Sequence, residues 1–279
     1  MAIVANTFTS FDAKGIREEL SDVINMISPE DVPLQSNIGS KNVSNTYFEW
    51  QHDSLAATDT TARIDGDDVS SFDSTSATTR VGYYTQILRR TVIVADNLGS
   101  QDLAGRNDEM AMQIAKRGRE LKRDLEAVLT ANNAAVSGNS STARETAGLG
   151  AWIATNTVHQ SGGSPAGADP TGDGSDARTD DGTPAAFTET MLKSAMQSAY
   201  TNGGQPSILM VGPFNKTQVS GFAGIAAQRY QAPSDSPTTI IGAADVYLSD
   251  FGQLQVVPNR FQRERDAWLL DPEYASVAY

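Results

Sequence analysis

The alternation of apolar and polar positions changes character several times along the chain. Ile16, Leu20, Val23 and Ile27 recur at helical spacing and predict an amphipathic helix, which Ser28-Pro29 ends because the residue before proline avoids helical angles. Residues 1–11 have no period and read either as an arm lying on another surface or as a frayed terminus. Residues 47–50, Tyr-Phe-Glu-Trp, predict a strand. Residues 81–94, rich in tyrosine and β-branched side chains, predict a second one, about 46 Å long if fully extended. Between them, residues 53–80 offer only Leu55, Ile64, Val69 and Phe72 as large apolar side chains among six aspartates and two arginines. Such a segment cannot bury a core of its own, so it is either a disordered loop or the tip of an arm that needs another surface to lie against.

A long helix follows over residues 107–131, with Met110, Ile114, Leu121, Leu125 and Val128 as its stripe and about 37 Å of rise. Its cations Lys116, Arg117, Arg119, Lys122 and Arg123 suggest a DNA contact at first sight. Lys116 stands four residues from Glu120 and Lys122 four from Glu126, with Glu120 three from Arg123, which favours a self-neutralised solvated face. Residues 160–184 hold six glycines, three prolines and five aspartates without a large apolar residue, and predict an exposed loop or insertion. Thr188 then caps a second helix, with Phe187 and Leu192 as a hydrophobic staple, Met191, Ala195, Met196 and Ala199 on one face, and Asn202-Gly203-Gly204 as its stop. Short apolar strands follow at 208–211, 245–248, 254–257 and 267–270, and Tyr279 lies in another strand-like stretch. The class is mixed α+β.

Composition narrows the function. The 279 residues suffice for about two domains, and 39% of them are hydrophobic, enough for a real core. A net charge of −13 argues against a dedicated binder of phosphate backbones. The absence of cysteine excludes disulfides, thiolate metal sites and cysteine nucleophiles, and leaves His52 and His159 as the only imidazoles. The first ten residues do not resemble a signal peptide, and no apolar run approaches the length of a membrane span. Phosphate-loop, dinucleotide, zinc-protease and nucleophile-elbow motifs are missing. His52-Asp53-Ser54 has the letters of a nucleophilic triad, but strand neighbours point to opposite faces. Asp173, Asp176, Asp180 and Asp181 lack the spacing of a calcium loop and read as solvated turn residues. The sequons at Asn42, Asn139 and Asn215 carry no weight without secretion. No cofactor or metal is expected and the chain reads as a non-enzyme; the enzyme alternative is a carboxylate-based, glycosidase-like hydrolase, which needs no motif visible in one sequence.

The order of parts resembles a tailed-bacteriophage major capsid protein of the Hong Kong 97-like shell fold. The resemblance rests on Arg17-Glu-Glu-Leu-Ser-Asp-Val-Ile, Ile27-Ser-Pro-Glu-Asp-Val-Pro, Phe48-Glu-Trp-Gln and Thr79-Arg-Val-Gly-Tyr-Tyr-Thr-Gln-Ile. It continues through Gln113-Ile-Ala-Lys-Arg-Gly-Arg-Glu-Leu-Lys-Arg-Asp, Gly148-Leu-Gly-Ala-Trp-Ile and Met210-Val-Gly-Pro-Phe-Asn-Lys. Asp245-Val-Tyr-Leu-Ser-Asp-Phe-Gly and Val257-Pro-Asn-Arg-Phe-Gln-Arg complete it. It implies an N-terminal arm at 1–39, an extended two-stranded loop at 40–94 with Gly66-Asp67-Asp68 at its tip, and a peripheral domain at 95–159 carrying a long spine helix. An axial domain at 160–258 follows, with the exposed Gly/Asp-rich loop, then return strands of the peripheral domain at 259–279 that the family continues beyond Tyr279.

The implied function is self-association into hexamers and pentamers that close an icosahedral capsid around double-stranded DNA. Other copies of the chain are the main partners, with scaffold, decoration and portal proteins besides; packaged DNA is met only non-specifically, and no membrane is involved. The expected location is the virion capsid, and the bacterial host cytoplasm during assembly. The contact candidates are Arg63, Ile64, Asp67, Asp68, Val69 and Phe72 on the loop, set against Arg106, Arg117 and Arg119 on the long helix or Arg260, Arg263 and Arg265 near the end. The alternative is that those arginines pair within their own subunit, through Asp266 or Glu264. With no lysine between Lys41 and Lys116, the loop has no amine for a covalent isopeptide weld.

Overall fold

The computed structural model describes residues 28–69, 72–99, 101, 103–106, 108–159, 166–222 and 245–279. The helix expected over 16–27 and the arm at 1–11 lie outside the described residues. The chain divides into two compact units, Met1–Glu30 with Arg89–Leu121, and Asp31–Leu88 with Lys122–Tyr279.

The second unit is built on a four-stranded sheet of β4 (Ile208–Val211), β5 (Val246–Ser249), β6 (Gly252–Pro258) and β7 (Ala267–Leu270), in the order β5-β6-β4-β7. β4 is parallel to β6 and antiparallel to β7, while β5 and β6 are antiparallel. The uninterrupted apolar run of β4 follows from its place: a central strand covered on both faces has no solvent side on which to alternate. On one face, Leu209, Val211, Tyr247, Leu254 and Val256 meet Leu192 and Met196 of α4 (Glu189–Thr201) and Val219 of α5 (Pro213–Ser220). On the other, Ile208, Met210, Trp268 and Leu270 meet Leu34 of α1 (Pro33–Asn37), with Leu129 packed alongside.

The end signals of α4 work as expected. Thr188 Oγ1 accepts from Met191 N, Phe187 packs against the first core cluster, and Gly203 adopts a φ of +86 while Gly204 N donates to Ala199 O. The N-terminus of α5, which lacks a capping side chain of its own, is met by Glu264, whose carboxylate accepts from Phe214 N at 3.2 Å.

After the single turn α2 (Asp96–Gly99), the long helix, α3 (Glu109–Thr130), is capped by Asp108, whose Oδ1 accepts from Met110 N at 2.8 Å. Its apolar stripe is only partly covered, with Leu121, Leu125 and Val128 half-buried. Met110 and Ile114 are exposed, and the two fully buried positions are Glu126 and Thr130. The reason is local, because only the last turns pass the second core cluster, and the residue they lend it is Leu129. The expected pairing of Lys122 with Glu126 also fails, since both carboxylate oxygens of Glu126 are spent elsewhere. Oε1 accepts from Leu34 N and Asn259 Nδ2, both at 2.7 Å, and Oε2 from Gln35 N at 3.2 Å and Gln35 Nε2 at 3.1 Å. Glu126 thus caps α1, whose N-cap residue Val32 contributes no side-chain bond. Thr130 Oγ1 donates within the same knot to Phe261 O at 2.9 Å.

The second strand of the hairpin is shorter than expected. β2 (Tyr47–His52) pairs antiparallel with β3 (Thr79–Tyr84), and the ladder ends at the Tyr47–Tyr84 pair. Beyond it, Thr85 N donates to Thr46 O and no partner strand continues, so residues 85–94 keep β-prone side chains without forming a strand. A short parallel pair of β1 (Gly39–Lys41) and β8 (Ser276–Ala278) stands at the foot of the hairpin.

Residues 166–184 form a largely exposed loop, as expected, but one tied down at several points. Ala168 and Thr179 form a bridge, Ala135 N donates to Gly174 O, and Pro170 and Gly174 are buried. Asp169 is the knot: it accepts from Thr157 Oγ1 at 2.6 Å and Arg178 Nη1 at 2.7 Å, and its Oδ1 lies 2.8 Å from His159 Nε2. Burial pushes the Asp169 carboxyl up, but the Thr157 and His159 bonds and the Arg178 charge outweigh it and hold it below the usual aspartate range.

Two outcomes follow. Glu126→Ala leaves Leu34 N without an acceptor, at a cost of about 1–3 kcal/mol, and Asn259 Nδ2 with only the Met210 thioether at 3.5 Å. The urea midpoint of the subunit should fall with an unchanged slope, and Glu126→Gln, which keeps an acceptor oxygen, should lose less. Asp169→Asn should cost about 1–2 kcal/mol at neutral pH. Because the folded value is depressed, that stability is present above the ordinary value of 3.8 and lost as pH falls through the folded one, so the midpoints of wild type and variant should converge below it. A gap that persists unchanged in acid would mean that the ionised form makes no contribution.

Candidate functional site

The β2–β3 hairpin carries two differently furnished faces and a long tip. Alternation along β2 and β3 sorts the side chains, placing Phe48 and Trp50 with Tyr83 on one face and Tyr47 and Glu49 with Tyr84 and Arg80 on the other. The first face forms the root of the arm. Trp152, in the 3₁₀ turn Leu149–Trp152, lies 5.4 Å from Trp50 and 6.3 Å from Tyr83, centroid to centroid, and the Tyr83 ring meets Phe48 at 5.7 Å. Burial in this cluster raises the Tyr83 hydroxyl above its usual range. Trp152 in turn covers Gly174, where an added Cβ would sit 2.7 Å from the indole. On the second face, Tyr47 lies across Gly82, and Glu49 pairs with Arg80 at 3.0 Å.

Beyond His52 the tip has no regular structure among its described residues, and its apolar side chains are bare. Leu55 is 99% exposed, Ile64 83%, Val69 68% and Phe72 92%. A turn is built into it: Asp67 N donates to Ile64 O at 3.0 Å, and Gly66 has a φ of +81, the left-handed angle that the third position of a type II turn requires. The turn displays Asp65, Asp67 and Asp68, while Arg63 rests 3.6 Å from Asp59.

The cations expected to receive the tip are already engaged within the chain. Arg106 pairs with Glu109, Arg117 with Glu120 at 2.5 Å, and Arg119 with Glu30 at 2.8 Å. Arg260 lies 4.0 Å from Asp31, Arg263 bonds Asp180 and approaches Asp266 at 3.5 Å, and Arg265 Nη1 donates to Asp181 O at 2.8 Å. Burial is the main influence on Asp266 and raises its carboxyl, only partly opposed by the Arg263 charge. Glu264, the other partner considered for these arginines, caps α5 instead. The alternative weighed for the terminal arginines is thus what occurs for Arg263, although the carboxylate that bonds it, Asp180, lies in the Gly/Asp-rich loop.

A cleft that the sequence did not announce lies in the second unit. It has a volume of about 430 Å³ and is lined by Ile87, Gly138, Asn139, Thr142 and Arg144. Val136 and Glu145 close a small hairpin, Asn139 Oδ1 accepts from Ser141 N and Thr142 N at 2.8 Å, and Gln86 Oε1 accepts from Thr146 N. Gly138, at a φ of +68, passes under the Arg144 stem, where a Cβ would lie 2.6 Å from Arg144 Cγ. The serine, glycine and asparagine at 137–139 are an ordinary turn signal, and nothing in the local pattern ties that turn to Ile87. No group of metal-ligating side chains occurs among the described residues, and His52, Asp53 and Ser54 stand exposed, with Asp53 spent on Ser54 N.

Comparison with known proteins agrees with this architecture. The profile of the SU10 major capsid protein family matches residues 3–279. The major capsid protein of Escherichia phage Phieco32 is 34% identical over 128 residues, 46% of this chain, and the match spans 36% of that relative's length. The capsid asymmetric unit of cyanophage A-1(L) superimposes with a TM-score of 0.65 at 12% identity, covering 97% of this chain and 79% of that one, a likeness of fold. The capsid of cyanophage P-SCSP1u gives a TM-score of 0.46 at 11% identity, over 94% and 72% of the two chains. With its profile matched almost end to end and a capsid fold beneath it, the chain belongs to the SU10 major capsid proteins, a family of structural proteins of the phage capsid.

Proposed function

We propose that this chain is the shell-forming subunit of a tailed phage, assembling in the host cytoplasm into hexamers and pentamers that enclose double-stranded DNA. The observation that carries the reading is the tip at residues 53–78, whose four large apolar side chains are bare in the isolated subunit. Leaving Leu55, Ile64, Val69 and Phe72 in water forgoes roughly 1.5 kcal/mol or more for each, which burial against another copy recovers. Closed symmetric assembly repeats that gain at every subunit.

In this reading the Hong Kong 97-like division applies: an N-terminal arm at 1–39, the extended loop at 40–94, a peripheral domain at 95–159 around the spine helix α3, an axial domain at 160–258, and return strands at 259–279. Arg63, Ile64, Asp67, Asp68, Val69 and Phe72 are the loop's contact residues. The cations at 106, 117, 119, 260, 263 and 265 can take part only by exchanging or sharing the in-chain partners described above. Scaffold, decoration and portal proteins are further partners, and DNA meets the shell non-specifically, in keeping with a charge of −13. The glycosidase-like alternative gains no support, since the cleft beside Arg144 is lined by no carboxyl group.

The test is deletion of residues 56–76. The subunit should keep its folded core, judged by cooperative unfolding close to that of the wild type, and should form no shells in negative-stain images. Normal particles from the deleted chain would overturn the proposal.

A further inference from the structure

A receiving site for the tip follows from a cation that is both without an ion pair and set in a cleft: Lys41, Arg89 and Lys122 also lack a carboxylate partner among the described residues, but they do not line the cleft. Six aspartates against Arg63 alone make residues 53–78 strongly acidic, and the turn at Ile64–Asp67 concentrates three of those aspartates beside a bare isoleucine. The arginines first considered as receptors are held by in-chain oxygens. Arg144 differs, because no ion pair joins it to a carboxylate among the described residues, and it sits in a cleft rather than on a convex surface. Beside it stands Ile87, 80% exposed, which gives the cleft one cationic and one apolar wall. Asn139 and Thr142 complete a polar rim, and the Gly138 turn holds the Arg144 stem in place.

We propose that this cleft is the docking site for the tip of a second copy, with Arg144 receiving Asp65, Asp67 or Asp68 and Ile87 covering Ile64. The match is one of chemistry and size. A guanidinium recognises a carboxylate through two parallel N–H donors, and an open cleft of about 430 Å³ has room for the Ile64 side chain and one aspartate of the turn. Withdrawing the pair from water raises its specificity beyond that of an exposed surface bridge. The proposal rests on the reading of the chain as a self-assembling shell subunit, and it names the partner surface within it.

Charge exchange and cross-linking test it separately from that reading. Arg144→Asp should cut the yield of particles at least about tenfold while leaving the melting of the free subunit unchanged, and adding Asp67→Arg with Asp68→Arg should restore particles. Because the chain has no cysteine, Asp65→Cys combined with Thr142→Cys should give disulfide-linked oligomers on oxidation, and neither single variant should. If Arg144→Asp does not fold, Arg144→Gln and the cross-link decide instead. Wild-type yield from the Arg144 variant, or loss of particles that the reversed tip does not rescue together with no cross-link, overturns the cleft assignment. If the chain lacking residues 56–76 still fails to assemble in that case, the shell reading stands and the tip docks elsewhere. If that deletion assembles normally, the parent reading fails with it.

Discussion

The carboxylate of Glu126 is the constraint around which the second unit is organised. It is fully buried, and what satisfies it is a set of N–H donors from two places in the chain: the start of α1, including the Gln35 side chain, and Asn259 after β6. Leu34 N and Gln35 N would be orphans without it, while Gln35 Nε2 would keep Lys122 O and Asn259 Nδ2 only the Met210 thioether. A short helix with no cap of its own, the last turns of α3 and the exit of β6 are therefore fixed by one side chain, and the second core cluster closes over the result. Leu34, Ile208, Met210, Trp268 and Leu270 supply the apolar burial, and Glu126 sets the register in which they meet.

The two faces of the sheet divide the labour. One is closed by α4 and α5, elements that follow the usual cap and staple rules and need little from elsewhere in the chain. The other is closed by segments far apart in sequence, among them Leu34 before the arm and Leu129 on α3. The arm leaves the same unit between β1 and β2, and its root is fastened by tilted and edge-on aromatic contacts to Trp152. Hydrophobic content thus falls in steps from the sheet to the root to the tip, and the outermost step keeps its apolar side chains in water.

How much of this could be read from the sequence depended on whether the signal was local. Ile208 to Val211, and the helix after Thr188, carry their own patterns and were legible almost to the residue. The strand expected through Val94 was not, because strand character needs a partner, and the β2 ladder stops at Tyr47. The apolar stripe of α3 misled for a related reason: Met110 and Ile114 have helical spacing, yet the buried positions are Glu126 and Thr130. Glu126 meets Leu34 across 92 positions and Asn259 across 133, separations that no periodicity records. The acidic tip was visible as composition, whereas the cleft at Arg144 was not, since Ile87 and the 137–144 turn meet only through the fold.

The root of the arm has an optical consequence. Of the three tryptophans, Trp268 is sealed in the sheet, while Trp50 and Trp152 face each other across the joint between arm and body. Indoles in contact, here tilted by 48° with centroids 5.4 Å apart, perturb each other's emission, and the perturbation vanishes when they separate. A swing of the arm about its foot would therefore register as a change in fluorescence from one defined pair, against a constant background from the third. The chain carries, in its own side chains, a label-free gauge of the arm's angle that can be followed in solution while subunits associate.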